Sequence, residues 1–158
     1  MKYRAIAVSM CFVGNSRYDG NKTENIDVLN FLKKLKENNI AIHFICPEQL
    51  GGLSTPRVPS EIKDGRVVNK KGIDVTDNFK KGADEILEIL KFLNIKAALL
   101  KQRSPSCGKG KIYDGSFTGK LIDGDGVTAK CLKSNGIKVF TEEELDKILI
   151  FKDYFIIE

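Results

Sequence analysis

The sequence predicts an α/β fold, in which a single three-layer domain has a mostly parallel sheet with helices on both faces. Short apolar runs alternate along the chain with amphipathic segments of helical period, and loops rich in glycine, proline and lysine separate them. The chain has 158 residues, a usual length for one domain, and no linker, repeat or low-complexity stretch divides it. Residues 1–158 are therefore predicted to form one domain.

Two strands and a helix are predicted at the start of the chain. Tyr3–Ser9 contains an apolar run that is typical of a buried strand. Thr23–Asn38 is predicted to be a helix, since its apolar residues recur at spacings of three and four. They are Val28, Phe31, Leu32 and Leu35. Ile40–Ile45 is predicted to be the second strand, and we expect its His43 to point into the core.

An irregular loop and a small hairpin are predicted next. Glu48–Asp64 contains two adjacent glycines and two prolines, and a loop of this length is usually functional or disordered. Arg66–Val68 and Ile73–Val75 flank the turn-forming residues 69–72, and this pattern indicates a hairpin.

The second half of the chain continues the alternation of strands and helices. Thr76 is expected to cap a helix that ends near Leu93. The apolar face of this helix comprises Phe79, Ala83, Ile86, Leu87 and Leu90. The remaining predicted elements are a strand over Ile95–Lys101, a helix over Gly126–Ser134 with Gly136 just after it, a strand over Ile137–Phe140, a helix opened by a capping box at Thr141–Glu144, and an edge strand over Ile150–Ile157.

The charge pattern is typical of a solvated protein surface. The net charge is +5, from 26 Lys and Arg against 21 Asp and Glu, and the basic clusters are short. This pattern argues against a nucleic-acid partner without excluding one. The apolar start at Ile6–Val13 lacks the layout of a signal peptide, and no apolar run is long enough to span a membrane. We therefore expect a cytoplasmic protein with no membrane partner.

Three of the four cysteines follow predicted strands. Cys11, Cys46 and Cys107 each lie one to six residues beyond the predicted end of a strand. Because the carboxyl ends of parallel strands meet at one edge of a sheet, we expect these thiols to lie close together. Their separations of 35 and 61 residues match neither a zinc ribbon nor a ferredoxin motif.

Three thiols in a reducing compartment leave three interpretations open. They are ligands of an iron–sulfur cluster, ligands of zinc with a fourth partner, or small buried apolar residues. His43 is more typical of a packing residue than of the fourth zinc ligand. Cys131 lies on a predicted helix, four residues after Val127, and we expect it to be structural.

The loops after the strands carry several motifs in a fixed order. These are Val8-Ser9-Met10-Cys11, Arg17-Tyr18-Asp19-Gly20, Cys46-Pro47-Glu48-Gln49-Leu50-Gly51-Gly52-Leu53, Thr55-Pro56-Arg57, Lys101-Gln102-Arg103-Ser104-Pro105-Ser106-Cys107-Gly108 and Ile112-Tyr113-Asp114-Gly115-Ser116-Phe117. With these motifs the chain resembles the thiouracil desulfurase (desulfidase) family over nearly its whole length.

The resemblance implies a [4Fe-4S] cluster held by Cys11, Cys46 and Cys107, with one iron that has no protein ligand. Such a cluster is expected to be labile in air, and an aerobically prepared crystal would then lack all or part of it. The resemblance also implies non-redox removal of sulfur from a small thiolated nucleobase such as 2-thiouracil. Met10 departs from the small residue expected before Cys11, and we expect it either to narrow the pocket or to repack the core.

Glu48 matches the family's acid–base position, and Ser104 matches a serine near the substrate. In the implied mechanism the thiocarbonyl sulfur binds the open iron, and water activated by Glu48 replaces the sulfur. The alternative role of Glu48 is to cap a turn or to pair with Arg57.

Further polar residues of these loops are candidates for substrate binding. They are Tyr18, Asp19, Ser106 and Tyr113. All four also suit tight turns. The alternative function for the whole chain is a zinc-binding or redox-sensing structural module without turnover.

Overall fold

The computed structural model describes residues 3–148 and 156–157. The strands in this part of the chain are β1 (Tyr3–Ser9), β2 (Ala41–Ile45), β3 (Ser60–Lys63), β4 (Arg66–Asn69), β5 (Ala97–Leu100), β6 (Lys111–Tyr113), β7 (Leu121–Asp123), β8 (Lys138–Thr141) and β9 (Ile156–Ile157). The α-helices are α1 (Ile26–Glu37), α2 (Pro47–Leu50), α3 (Thr76–Phe92), α4 (Val127–Ser134) and α5 (Leu145–Ile148).

The central sheet has the strand order β2-β1-β5-β8, and each neighbouring pair in this order is parallel. β9 pairs antiparallel with the start of β1. The residues of β5 are buried throughout, as are Ala5–Ser9 of β1. Burial of this kind is typical of parallel strands that are covered on both faces. The predicted α/β fold with a mostly parallel sheet is confirmed.

Helices cover both faces of the sheet because successive strand residues point to opposite sides. Ala5 and Ala7 of β1 pack in the apolar cluster that contains residues of α3 and α4. Ile6 and Val8 pack in the second cluster, which contains residues of α1 and Ile148 of α5. The apolar faces predicted for the two long helices are buried, and most of their residues belong to these clusters. The molecule has the three layers that the sequence predicted.

The starts of the two long helices differ from the prediction. α1 begins after Asn25, whose side chain accepts a hydrogen bond from the Val28 N–H at 3.1 Å. Thr76 does not cap α3, because it lies inside the first turn, after the cap position at Val75. The Thr76 hydroxyl instead accepts a hydrogen bond from the Val67 N–H of β4 at 2.9 Å, which ties the helix to the hairpin.

The region predicted as a long loop contains two regular elements, α2 and β3. β3 pairs with β4 across a turn at Asp64 and Gly65, which both have positive φ, as expected for a two-residue hairpin turn. The predicted partner, residues 73–75, also pairs with β4, through a bridge between Val68 and Asp74 and hydrogen bonds from the Asn69 N–H to the Ile73 carbonyl oxygen and from the Val75 N–H to the Val67 carbonyl oxygen, each at 2.9 Å. The predicted pairing is therefore present in a shorter form, and the sequence did not predict that β4 also pairs with β3.

The prediction for His43 is wrong, whereas the predictions for the capping box and the last strand are confirmed in part. His43 is half-buried and not in the core, since β2 is the last strand on its side of the sheet among the described residues. The capping box at Thr141 and Glu144 is present, but it opens a short 3-10 helix that precedes α5. Residues 156–157 pair at the sheet as predicted, whereas 150–155 lie outside the described residues. No helix in the described part of the chain has the length and apolar character to cross a membrane.

Candidate functional site

A cavity of about 450 Å³ lies where the carboxyl ends of β1, β2 and β5 meet. Ser9 ends β1, Ile45 ends β2 and Lys101 follows β5, and all three residues line the cavity. Residues of the β3–β4 hairpin and of the 3-10 helix after β8 complete the wall. Parallel sheets bind ligands at this position, because the loops that leave the strands can diverge there.

The three cysteines that follow the strands all line this cavity. Cys11 lies in a 3-10 helix directly after β1, Cys46 caps the start of α2, and Cys107 lies in the turn after β5. All three are free thiols. The parallel arrangement of β1, β2 and β5 therefore brings together cysteines that are far apart in the sequence.

Burial raises the pKa of each of these thiols above its ordinary value. It raises the pKa of Cys11 to about 11. The pKa values of Cys46 and Cys107 are also raised, with burial as the largest cause. Lys101 and Arg17 act against this effect by placing positive charge near Cys11 and Cys46 respectively. Thiolates at this site therefore depend on nearby positive charge.

This set of donors fits an iron–sulfur cluster. Cys thiolates are the usual ligands of such clusters. In residues 3–148 and 156–157, no three Cys, His, Asp or Glu side chains are arranged around a single metal ion. A cluster does not need that arrangement, because each thiolate binds a different iron. Three thiols that share one cavity, with two cations beside them, meet its requirements.

The loop that carries Cys107 is held by hydrogen bonds to Ser104. The Ser104 hydroxyl oxygen accepts hydrogen bonds from the N–H groups of Ser106 at 3.1 Å and Cys107 at 3.2 Å. Gly108 is needed in this turn, since a Cβ there would lie 2.8 Å from the Ser104 carbonyl oxygen. Ser104 thus lines the cavity and also shapes the loop.

Two glycines place the single turn of α2 against α3. A Cβ at Gly82 would lie 1.9 Å from the Pro47 carbonyl oxygen, and a Cβ at Gly51 would lie 2.2 Å from that of Asn78. The Asn78 side chain donates a hydrogen bond to the Gly51 carbonyl oxygen at 2.8 Å. This close approach of two backbones fixes the turn that follows Cys46.

Glu48 lies on α2 and pairs with Arg57 at the wall of the cavity. Its Oε1 is 2.8 Å from Arg57 Nη2, and the side chains of Arg57 and Glu48 are 10% and 19% exposed. Within residues 3–148 and 156–157, the N–H bonds of the buried Nη2 point at no hydrogen-bond acceptor. The contact is therefore an ion pair in which the N–H bonds do not point at the carboxylate oxygen.

The predicted substrate-binding residues separate into two groups. Tyr18, which is 44% exposed, and Tyr113 both line the cavity. Asp19 does not line it, and its carboxylate accepts hydrogen bonds from the N–H and the side chain of Asn21. The Asn21 backbone N–H is the largest cause that lowers the pKa of Asp19.

Ser106 is also absent from the cavity wall, and its side chain is fully buried. Its hydroxyl lies 2.9 Å from that of Thr128 on α4. The structure thus supports the turn interpretation of Asp19 and a packing role for Ser106.

Three carboxylates of the cavity wall were not predicted as site residues. Glu61 is buried and accepts hydrogen bonds from the N–H groups of Gly115 at 2.9 Å and Phe117 at 3.0 Å. Glu142 accepts a hydrogen bond from the Gln102 N–H at 2.8 Å, and burial raises its pKa. The third is Glu143, which pairs with Arg103 at 3.0 Å. The only sequence signal at Glu142 and Glu143 was the capping box, and Glu61 had none.

The positions of Met10 and Cys131 bear on the two remaining predictions from the sequence. Met10 lines the cavity and is only half-buried, and it belongs to neither apolar cluster. This position favours the expected effect on the pocket over one on the core. Cys131 lies on α4, outside the cavity, and packs against the apolar cluster on that face of the sheet. This position agrees with a structural role.

Comparisons with known proteins show the family of this chain. The family model described as 2-thiouracil desulfurase matches residues 6–144. The uncharacterized protein YbbK of Bacillus subtilis (strain 168) is 42% identical over 155 residues, which cover 91% of this chain and 99% of that protein. The solved structure of a [4Fe-4S]-dependent thiouracil desulfidase, TudS, is 41% identical and covers 94% of this chain and 97% of its own, with a TM-score of 0.85. The chain belongs to the 2-thiouracil desulfurase family.

Proposed function

We propose that this chain is a [4Fe-4S]-dependent enzyme that removes sulfur from a thiolated nucleobase such as 2-thiouracil, with no net oxidation or reduction. The observation that carries the proposal is that Cys11, Cys46, Cys107 and Glu48 line one cavity. Membership of the family supports the type of reaction. Similarity to TudS supports the cofactor and the substrate class.

The cysteines Cys11, Cys46 and Cys107 are the proposed ligands of the cluster. Arg17 and Lys101 lie close enough to influence two of these thiols, and their positive charge offsets that of the thiolates. When bound, the cluster supplies an iron that acts as a Lewis acid toward a thiocarbonyl group.

Glu48 is the proposed acid–base residue. Its carboxylate lines the cavity on the turn that follows Cys46, where it can accept a proton from a water molecule. The water oxygen forms a bond to the thiocarbonyl carbon, and the carbon–sulfur bond breaks. One water is consumed for each hydrogen sulfide released, so the reaction balances without an electron donor.

Ser104, Tyr18 and Tyr113 are the proposed contacts of the base. Tyrosine rings suit stacking on a flat heterocycle, and the Ser104 hydroxyl retains a hydrogen to donate while its oxygen holds the loop. A small molecule is the proposed substrate, since a cavity of about 450 Å³ is in the range of small-molecule sites. Free cysteines agree with our proposal that the protein works in the reducing cytoplasm.

A product assay tests this function. Protein purified and assayed without oxygen should convert 2-thiouracil into uracil and sulfide in equal amounts, with no added electron donor. Cys107→Ser, which removes one proposed ligand, is the matched control and should give no product. Failure of the cluster-loaded protein to consume 2-thiouracil, or a requirement for a reductant, would contradict the proposal.

A further inference from the structure

The Glu48 carboxylate is paired with a cation that is itself mostly buried. Arg57 Nη2 lies 2.8 Å from Glu48 Oε1, and nine-tenths of the Arg57 side chain is shielded from solvent. Ion pairs at a protein surface contribute little because water screens them. A pair that is largely removed from water interacts more strongly, so Arg57 has a large influence on where the Glu48 carboxylate lies.

Arg57 is fixed by contacts that do not involve Glu48. Its backbone N–H donates a hydrogen bond to the Tyr18 carbonyl oxygen at 2.5 Å. Its guanidinium lies over the ring of Phe79 on α3, 6.0 Å from the ring centroid. Two residues earlier, the Thr55 hydroxyl donates a hydrogen bond to the Arg17 carbonyl oxygen. The backbone around Arg57 is therefore anchored to the loop after β1, and its guanidinium lies against α3.

The Glu48 side chain has less support than the backbone that carries it. The contact of α2 with α3 holds the backbone, whereas the side chain makes no other ion pair in the described part of the chain. A glutamate side chain has several rotatable bonds, and fixing them costs entropy. An anchored cation at 2.8 Å selects the rotamers that keep the carboxylate at the cavity wall.

We propose that Arg57 is a positioning residue that holds the Glu48 carboxylate in place for proton transfer. This inference rests on the proposed function, in which Glu48 is the acid–base residue. Arg57 acts through Glu48 and does not itself need to contact the substrate. Because the contact is an ion pair without hydrogen-bond geometry, positive charge at this position is expected to matter more than the guanidinium shape.

Arg57→Gln tests the proposal. We expect kcat for 2-thiouracil to fall on the order of 10²-fold, since small misplacements of a reacting group have effects of this size. The affinity for the product uracil, measured by calorimetric titration, should change by less than about threefold, because Arg57 does not act by binding the base. Iron and acid-labile sulfide per chain should be unchanged. Arg57→Lys, which retains the charge, should recover part of the lost kcat.

The matched control is Arg66→Gln. Arg66 forms an ion pair with Asp74 on the hairpin, with side chains 60% and 41% exposed, and it does not line the cavity. Removal of this exposed arginine should leave kcat and uracil affinity unchanged.

A double substitution decides whether Arg57 acts through Glu48. In the Glu48→Gln background, Arg57→Gln should cause no further fall in kcat, because the group that it positions is already gone. An undiminished further fall, or weaker uracil binding with unchanged kcat, would overturn the role of Arg57 alone. Full turnover by Glu48→Gln would overturn the role of Glu48 and this inference with it. If Arg57→Gln fails to retain iron, Arg57→Lys in both backgrounds gives the same comparison.

Discussion

The carboxylate of Glu48 and the thiols of three cysteines share a cavity from which water is partly excluded. At the scale of single residues, the proposed reaction depends on a proton acceptor beside the site where sulfur is held. Glu48 lies on the turn that follows Cys46, closer in sequence to a proposed ligand than the other carboxylates of the cavity wall. Glu61 and Glu142 accept hydrogen bonds from backbone N–H groups, and Glu48 and Glu143 each pair with an arginine.

Glu48→Gln should lower kcat for 2-thiouracil by about 10²–10⁴-fold, the range that removal of a general acid–base usually causes. The amide has the same shape as the carboxyl group, so we expect unchanged iron content and little change in uracil affinity. Steady-state kinetics, together with iron analysis of the same sample, provides the measurement. Unchanged turnover would mean that another group activates the water.

Individual residues were predictable from the sequence to different degrees. The cysteines lie at the cavity because strand ends determine their positions, and strand ends can be predicted from apolar runs. The orientation of a loop side chain depends on contacts that no motif reveals. Ser106 turns toward Thr128, 22 residues further along the chain, and Asp19 turns back toward Asn21.

At the scale of secondary structure, the contact between α2 and α3 places two of the proposed site residues. Cys46 caps α2 and Glu48 lies on it, so their positions depend on how α2 is seated. The sequence predicted α3 from its helical periodicity, but it did not predict α2. A helix of four residues is too short to show a period. The Asp64-Gly65 turn between β3 and β4 did have a sequence signal, since Asp-Gly is typical of a two-residue hairpin turn. A hairpin was nevertheless predicted only around residues 69–72.

Gly82→Ala should destabilise the protein, although alanine normally stabilises a helix by about 1 kcal/mol relative to glycine. The added methyl group would lie 1.9 Å from the Pro47 carbonyl oxygen, so α2 must move away from α3. We expect a loss of about 1–3 kcal/mol in the free energy of unfolding, measured with urea, and less bound iron because Cys46 is displaced.

Gly136→Ala provides the control for this substitution. Gly136 has a φ of +77°, and no atom of a described, non-adjacent residue lies within 4 Å of the position that a Cβ would take there. Alanine therefore strains the backbone without a steric clash against these residues. We expect a loss of about 1 kcal/mol in stability with unchanged iron content. A more stable Gly82→Ala variant with full iron content would show that the α2–α3 contact does not position the site.

At the scale of the whole molecule, the fold class was predictable because strands and helices alternate in a simple pattern. That pattern also indicated the edge of the sheet at which the cysteines meet. It did not reveal the three additional carboxylates of the cavity wall, since these come from β3 and from the 3-10 helix after β8. The pairing of Glu48 with Arg57 was one of the alternatives that the sequence left open, and the structure shows it. The organisation of residues 1–158 as a single domain stays a prediction.

The central claim is that three cysteines from three strand ends hold an iron–sulfur cluster. Its most direct test is the amount of iron and acid-labile sulfide per chain in protein purified and reconstituted without oxygen, compared with Cys46→Ser. The proposed site predicts about four irons and four sulfides per chain, with a visible absorption band that is lost in the variant. Bound zinc without sulfide, or no iron after reconstitution, would contradict the claim.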